Sequence, residues 1–338
     1  MLTPNSRRRF LAGLSAAGAT GFVGAAQPAY AEPSPETTTV RLPQYFPPSC
    51  DGPIYIAKEL LRAEGFTDVR YVQGDSSVDS SVWLARGEID FDWNFAPIQV
   101  NAIETGAPIK VLTGLHSGCL ELIANASINN INELKGKRVG VYSSSSSSLH
   151  TIWVTLMAAY IGLDPVNDIQ WIESADTSPK DLFVEGKIDA FLAVPPEPQD
   201  LRARKIGRTI LDTAIDRPWS QYFCCMLAGS AEYVSKYPVA TKRIMRAILK
   251  AVDLCASNPK MAARQLADEK FTDRYDYALA TFIDSRYDRW REFDPEDTMR
   301  YYALRMNEVG FIKMSPQKII AEGTDWRFLD ELKRELKT

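Results

Sequence analysis

Cysteine and histidine are scarce in this chain: five cysteines at 50, 119, 224, 225 and 255 and two histidines at 116 and 150, among 338 residues. So few cysteines, odd in number, exclude a disulfide framework as the source of stability. Cys224 and Cys225 are adjacent, so pairing them would need a strained ring, and both read as buried free thiols. No His or Cys repeats stand at ligand spacing, so no metal site is expected. Positive charge is not in excess either. The formal net charge is −4, and without Arg7, Arg8 and Arg9 it falls to −7, which argues against nucleic acid as a partner. No stretch supplies the roughly 20 strongly apolar residues of a membrane span, since Phe10 to Ala26 is broken by glycines at 12, 18, 21 and 24. There is no G-x-S-x-G and no glycine-and-lysine nucleotide loop. Catalysis is not written here in any standard form, so neither an enzyme nor a cofactor is expected.

What is present is a globular composition, 45% hydrophobic and 24% charged, with 19 glycines and 20 prolines. At this length one core is near its ceiling, which favours two packed lobes and a cleft. The first 31 residues have the three parts of an export signal: Arg7-Arg8-Arg9, a weakly apolar stretch, and Ala29-Tyr30-Ala31 before a cleavage point. Ser6 to Leu11 resembles the twin-arginine signal, which sends folded proteins to the periplasm.

Beyond a loose leader, strand and helix signals alternate. Strands are expected at 39–42, 69–72, 89–93 and 109–115, with helices between them, and the plan repeats from 131 to 211. That order marks parallel sheets with helices on their faces. From Ser230 onward helices follow one another, opened by Asn258-Pro259 and Ser315-Pro316. The expected architecture is α/β, two doubly wound lobes joined by a two-strand hinge. Lobe one takes 38–123 plus 227–338 and lobe two takes 126–222.

Ligands in such sheets collect beyond the carboxyl ends of the strands. The residues there are Gln44 and Tyr45, Asn94 and Phe95, Ser117, the serine run 143–148 with Ser145, Ser146 and Ser147 at its centre, Glu197 after two prolines, and Tyr222 on the return crossing. The serine run would aim hydroxyls and free helix N–H groups into the cleft, or form a plain polar cap. Asn94 either presents its amide to a ligand or caps the next helix. Glu197 either accepts N–H groups from a solute or is a solvated carboxylate. No arginine or lysine stands at these ends.

Five ordered pieces carry a resemblance: Ala85 to Asp90, Gly106 to Val111, Glu133 to Val141, Gly162 to Pro165 and Glu185 to Ala190. They resemble the nitrate/sulfonate/taurine-type periplasmic substrate-binding proteins of ABC transporters, which share a fold with the thiamine-pyrimidine synthase family. The resemblance implies a type II periplasmic binding protein fold, a monomer that closes on a small organic or anionic solute, and delivery to an inner-membrane ABC permease. It also implies ligand contact for Ser145 to Ser147, for Asn94 to Ala96 and for Gln44-Tyr45, although the family's glycine in the serine loop is absent here. Two alternatives stay open: a thiamine-pyrimidine synthase-like enzyme, and a ligand-loaded sensor subunit for a membrane receptor.

Overall fold

Alternating strands and helices build two sheets of the same order. The computed structural model describes residues 32–45, 50–74, 78–174 and 176–336, so the segment 1–31, expected to be an export signal, lies outside the described residues. The first strands are β1 (Thr39–Pro43), β2 (Asp68–Val72), β3 (Phe91–Phe95) and β4 (Ile109–His116). A second set follows, β5 (Glu121–Ala124), β6 (Lys137–Val141), β7 (Ile169–Glu173), β8 (Ala190–Ala193) and β9 (Arg208–Asp212), and β10 (Cys225–Ser230) returns to the first.

In the second lobe the sheet runs β7-β6-β8-β5-β9. In the first, β1 pairs with β2 and β10 lies between β3 and β4. The Asp90 N–H donates to the Arg41 carbonyl at 2.8 Å, which ties β1 to β3 and gives the matching order β2-β1-β3-β10-β4. The sheets are not wholly parallel, as the strand-helix alternation suggested. β10 runs against β3 and β4, and β5 runs against β8 and β9. Each of these strands arrives from the other lobe, so it enters from the opposite direction. β5 also moves the first crossing to between His116 and Glu121, ahead of the expected boundary at 123.

Each lobe contains one copy of the same lock. Gly87-Glu88-Ile89-Asp90 and Gly186-Lys187-Ile188-Asp189 turn on glycines with φ of +68° and +73° and bury their isoleucines. The aspartate then accepts hydrogen bonds from an arginine on the equivalent strand of its sheet, β1 in lobe one and β6 in lobe two. Asp90 Oδ2 takes the Arg41 N–H at 2.7 Å and its Nε at 3.2 Å; Asp189 Oδ2 takes the same groups of Arg138 at 2.9 and 3.1 Å. Both arginines also reach the glycine carbonyl of their turn.

The C-terminal helices pack on helices of the first lobe. Pro238–Ser257 packs on Pro53–Ile56 and Lys58–Ala63, and Pro295–Glu308 packs on Ala96–Glu104. Asn258 and Ser315 cap their helices by accepting from the N–H groups of Met261 and Lys318. Helix Tyr275–Asp284 also touches lobe-two helix Glu197–Arg204. The main apolar core runs through both lobes by way of Trp153, Trp219 and Tyr302. A smaller one, with Phe183, Phe191 and Leu201, belongs to lobe two alone.

Candidate functional site

Three groups of polar side chains sit at the strand ends and crossings. In lobe one the chain leaves β1 at Gln44, half-buried, whose N–H donates to the Val72 carbonyl at 2.9 Å. Tyr45 follows. Its N–H donates to Tyr55 Oη at 2.8 Å, and its ring lies against Trp83 with centroids 6.3 Å apart. Asn94, near the end of β3, is buried, and its Nδ2 donates to Asp79 Oδ1, Ser80 Oγ and Asp92 Oδ2 at 3.0, 3.1 and 3.2 Å. Its Oδ1 accepts the Phe95 N–H at 2.7 Å. The amide is thus engaged by the protein, neither held out to a ligand nor capping the helix that Phe95 opens. It organises the carboxylates around it.

Those carboxylates give the lobe-one site its character. Asp92 is buried, its Oδ1 has no partner, and burial, reinforced by Asp79, pushes its carboxyl up to about 7. Burial raises the Tyr45 hydroxyl well above its ordinary value, and the nearby charges of Asp92, Asp51 and Asp79 add to the rise. None of these three aspartates follows from reading strand ends alone. Asp92 is buried within β3, three residues before its end at Phe95, and Asp79 enters as the N-cap of helix Ser80–Ala85.

In lobe two the serine run is not a buried cradle. Ser144 to Ser147, including Ser145, Ser146 and Ser147, are exposed. Ser145 and Ser147 bond each other at 2.8 Å, and the Ser144 N–H donates to Glu173 at 2.8 Å. Ser148 opens helix Leu149–Tyr160 without a side-chain cap. Glu197 is half-buried and accepts the Val194 N–H at 3.1 Å; burial lifts its carboxyl to about 7. Its charge is felt by Tyr142, whose ring meets His150 edge-on at 5.0 Å. Tyr222 turns to the C-terminal helices, stacking on Tyr301 at 3.9 Å. Ser117 is buried on the first crossing, where its carbonyl accepts the Arg286 N–H at 3.3 Å. The structure therefore links Tyr45 with Asn94 through Ser80, which bonds both, brings Glu197 near Tyr142 at the start of the serine run, and turns Tyr222 to the C-terminal helices.

The third group lies where the chain crosses between lobes. Donor atoms of Cys50, His116, Cys119 and Cys225 all lie within 4.8 Å of one another, and all four residues are buried. Cys50 Sγ is 3.6 Å from Cys225 Sγ, and Cys119 Sγ is 3.1 Å from Cys224 Sγ. Only His116 and Cys119 stand close in sequence, three residues apart; Cys50 and Cys225 come from two other segments, so spacing alone does not show the cluster.

The NMT1/THI5-like family profile matches residues 52–262, from the first helix of lobe one, across all of lobe two, and into the C-terminal helices. The chain belongs to the NMT1/THI5-like family. Among curated proteins none matches it in sequence. Solved structures share the fold of this NMT1/THI5-like chain. The periplasmic nitrate-binding protein NrtA from Synechocystis PCC 6803 superposes with a TM-score of 0.71 at 16% identity, covering 90% of each chain. The alkanesulfonate-binding protein SsuA from Xanthomonas axonopodis pv. citri, bound to MOPS, gives 0.64 at 14% identity, covering 84% of this chain and 96% of its own. The desulfurization enzyme DSZB gives 0.59 at 13% identity, covering 88% and 99%. At these identities the likeness is one of fold, and the fold serves binding proteins and an enzyme alike.

Proposed function

We propose that this NMT1/THI5-like protein is the periplasmic solute-binding component of an ABC importer, and that its solute carries N–H groups or positive charge rather than being an oxyanion. The binding role is supported by the two-lobed fold shared with nitrate- and alkanesulfonate-binding proteins. The solute class rests on one observation: Tyr45 stands among Asp51, Asp79 and Asp92. An anion placed there would meet like charges at low dielectric, whereas an amine or aminated heteroaromatic ring would find acceptors. Glu197 on the other lobe adds a carboxylate of the same kind. The lobes, 34–116 with 225–336 and 121–212, would close on the solute about the crossings, and the closed complex would engage a permease.

Calorimetric titration of the mature protein with nitrate, methanesulfonate, simple amines and aminopyrimidines tests this. A nitrogen-bearing solute should bind and raise the melting temperature, and Asp92→Asn should weaken it about tenfold, or ~1.4 kcal/mol. Tighter binding of nitrate or methanesulfonate would reverse the assignment of solute class. Multiple-turnover product formation from any bound solute would overturn the binding-protein reading.

A further inference from the structure

We infer that the crossing between the lobes holds a tetrahedral divalent metal ion of the zinc type, bound by Cys50, His116, Cys119 and Cys225. The site is independent of the solute reading above. Four observations converge on it.

The donor set is the first. Three sulfurs and one imidazole nitrogen, all mutually within 4.8 Å, are the ligands of a Cys₃His centre. Zinc–sulfur bonds of about 2.3 Å imply tetrahedral S···S edges of about 3.8 Å. Cys50 and Cys225 stand 3.6 Å apart.

The second is the state of His116. Its Nδ1 lies 3.1 Å from the Gly118 carbonyl, which can only accept, so Nδ1 carries the proton and Nε2 carries a lone pair. That Nε2 is fully buried and has no partner. A buried acceptor left empty is costly, and a metal ion is what would fill it. Donation from the other ring nitrogen to a backbone carbonyl is the usual support for a metal-bound histidine. Trp93 and Tyr287 fix the ring on two sides, at centroid distances of 5.8 and 5.1 Å.

Third, the backbone is shaped to bring these atoms together. Gly118 has φ of +68°, and a Cβ there would come within 2.1 Å of Ala214, so the turn that sets His116 against Cys119 admits only glycine. The β4–β10 register shifts between Cys225 and Met226, a bulge of the kind that re-aims a side chain. Tyr287 Oη donates to the Cys50 carbonyl at 2.7 Å and pins the segment that carries Cys50.

Fourth, charge selects the ion. Binding releases three thiol protons, and three thiolates with a neutral imidazole give a net −1 around a divalent ion but −2 around a monovalent one. In a fully buried site the smaller charge is the cheaper to hold. The rival arrangement is a pair of disulfides, Cys50–Cys225 and Cys119–Cys224. All five thiols are free here, and oxidation would still leave His116 Nε2 empty.

Elemental analysis and thiol alkylation of the chain purified from the periplasm without chelator test the site. About one divalent ion per chain is expected, falling at least tenfold in Cys225→Ser and His116→Gln and unchanged in Cys255→Ser. Replacing the ion with Co²⁺ should give intense thiolate-to-cobalt bands and tetrahedral d–d bands in the native chain, a readout that stands even if the variants fail to fold. Native protein that takes up neither Zn²⁺ nor Co²⁺, or that carries the two disulfides, overturns the inference. Loss of solute binding with the ion retained would count against the proposed function alone.

Discussion

Asp92 and His150 are two buried titratable groups whose effects on stability oppose each other. Burial raises the Asp92 carboxyl from 3.8 to about 7 and lowers the His150 imidazole from 6.5 to about 4. Between about pH 4 and 7 the folded chain holds the Asp92 proton that the unfolded chain has lost, so stability falls as pH rises. Between about pH 4 and 6.5 the unfolded chain protonates His150 and the folded chain does not, so stability rises with pH. The two slopes offset. Relative to the native chain, Asp92→Asn should gain stability as pH rises through that window, and His150→Phe should gain it as pH falls, by roughly 2–3 kcal/mol each in urea titrations at fixed ionic strength. Parallel profiles for all three proteins would remove both assignments. At this scale the sequence was only partly legible. Tyr45 and Asn94 were visible as strand-end residues, but the carboxylates that give them meaning come from β3 and a helix cap, and a polar residue's partners are set by tertiary approach rather than by neighbours in the chain.

The two copies of Gly-x-Ile-Asp show an element whose sequence did reveal its role once the strands were paired. The glycine ends a helix, the isoleucine enters the core, and the aspartate returns to an arginine on β1 or on its counterpart β6. Asp90 is the more enclosed of the two, its side chain 7% exposed against 18% for Asp189. Asp90→Ala should therefore cost about 2–4 kcal/mol and Asp189→Ala about 1–2 kcal/mol in urea unfolding, because removing the acid strands Arg41 in the less solvated setting. Equal costs would mean that burial does not set the strength of the lock. Helix starts at Asn258 and Ser315 were legible for a similar reason, since capping is local chemistry. β5 and β10 were not, because a short apolar run between turns does not announce which sheet it joins or in which direction.

Across the whole molecule the lobes meet through polar contacts as well as the shared core. Arg202 of lobe two bonds Asp284 of lobe one, Gln199 Nε2 donates to Asp284 at 3.0 Å, and Tyr277 Oη donates to Asp200 at 3.0 Å. Arg202 and Asp284 are 45% and 42% exposed, so Asp284→Ala should weaken solute binding only about threefold, or ~0.6 kcal/mol, while enlarging the solute-free scattering radius. An unchanged radius would place the closing force in the aromatic core instead. Export is a second test at this scale. If the paired arginines address the folded-protein pathway, Lys at both Arg7 and Arg8 should trap the precursor in the cytoplasm; normal export of the double variant would exclude that route. The strand exchange between lobes has a consequence for synthesis. Lobe two's five strands span 121–212 without interruption, but lobe one cannot insert its fourth strand in sheet order, β10, until residue 230 has been made. On the ribosome the second lobe should thus complete its sheet before the first, against the usual amino-to-carboxyl order of domain folding.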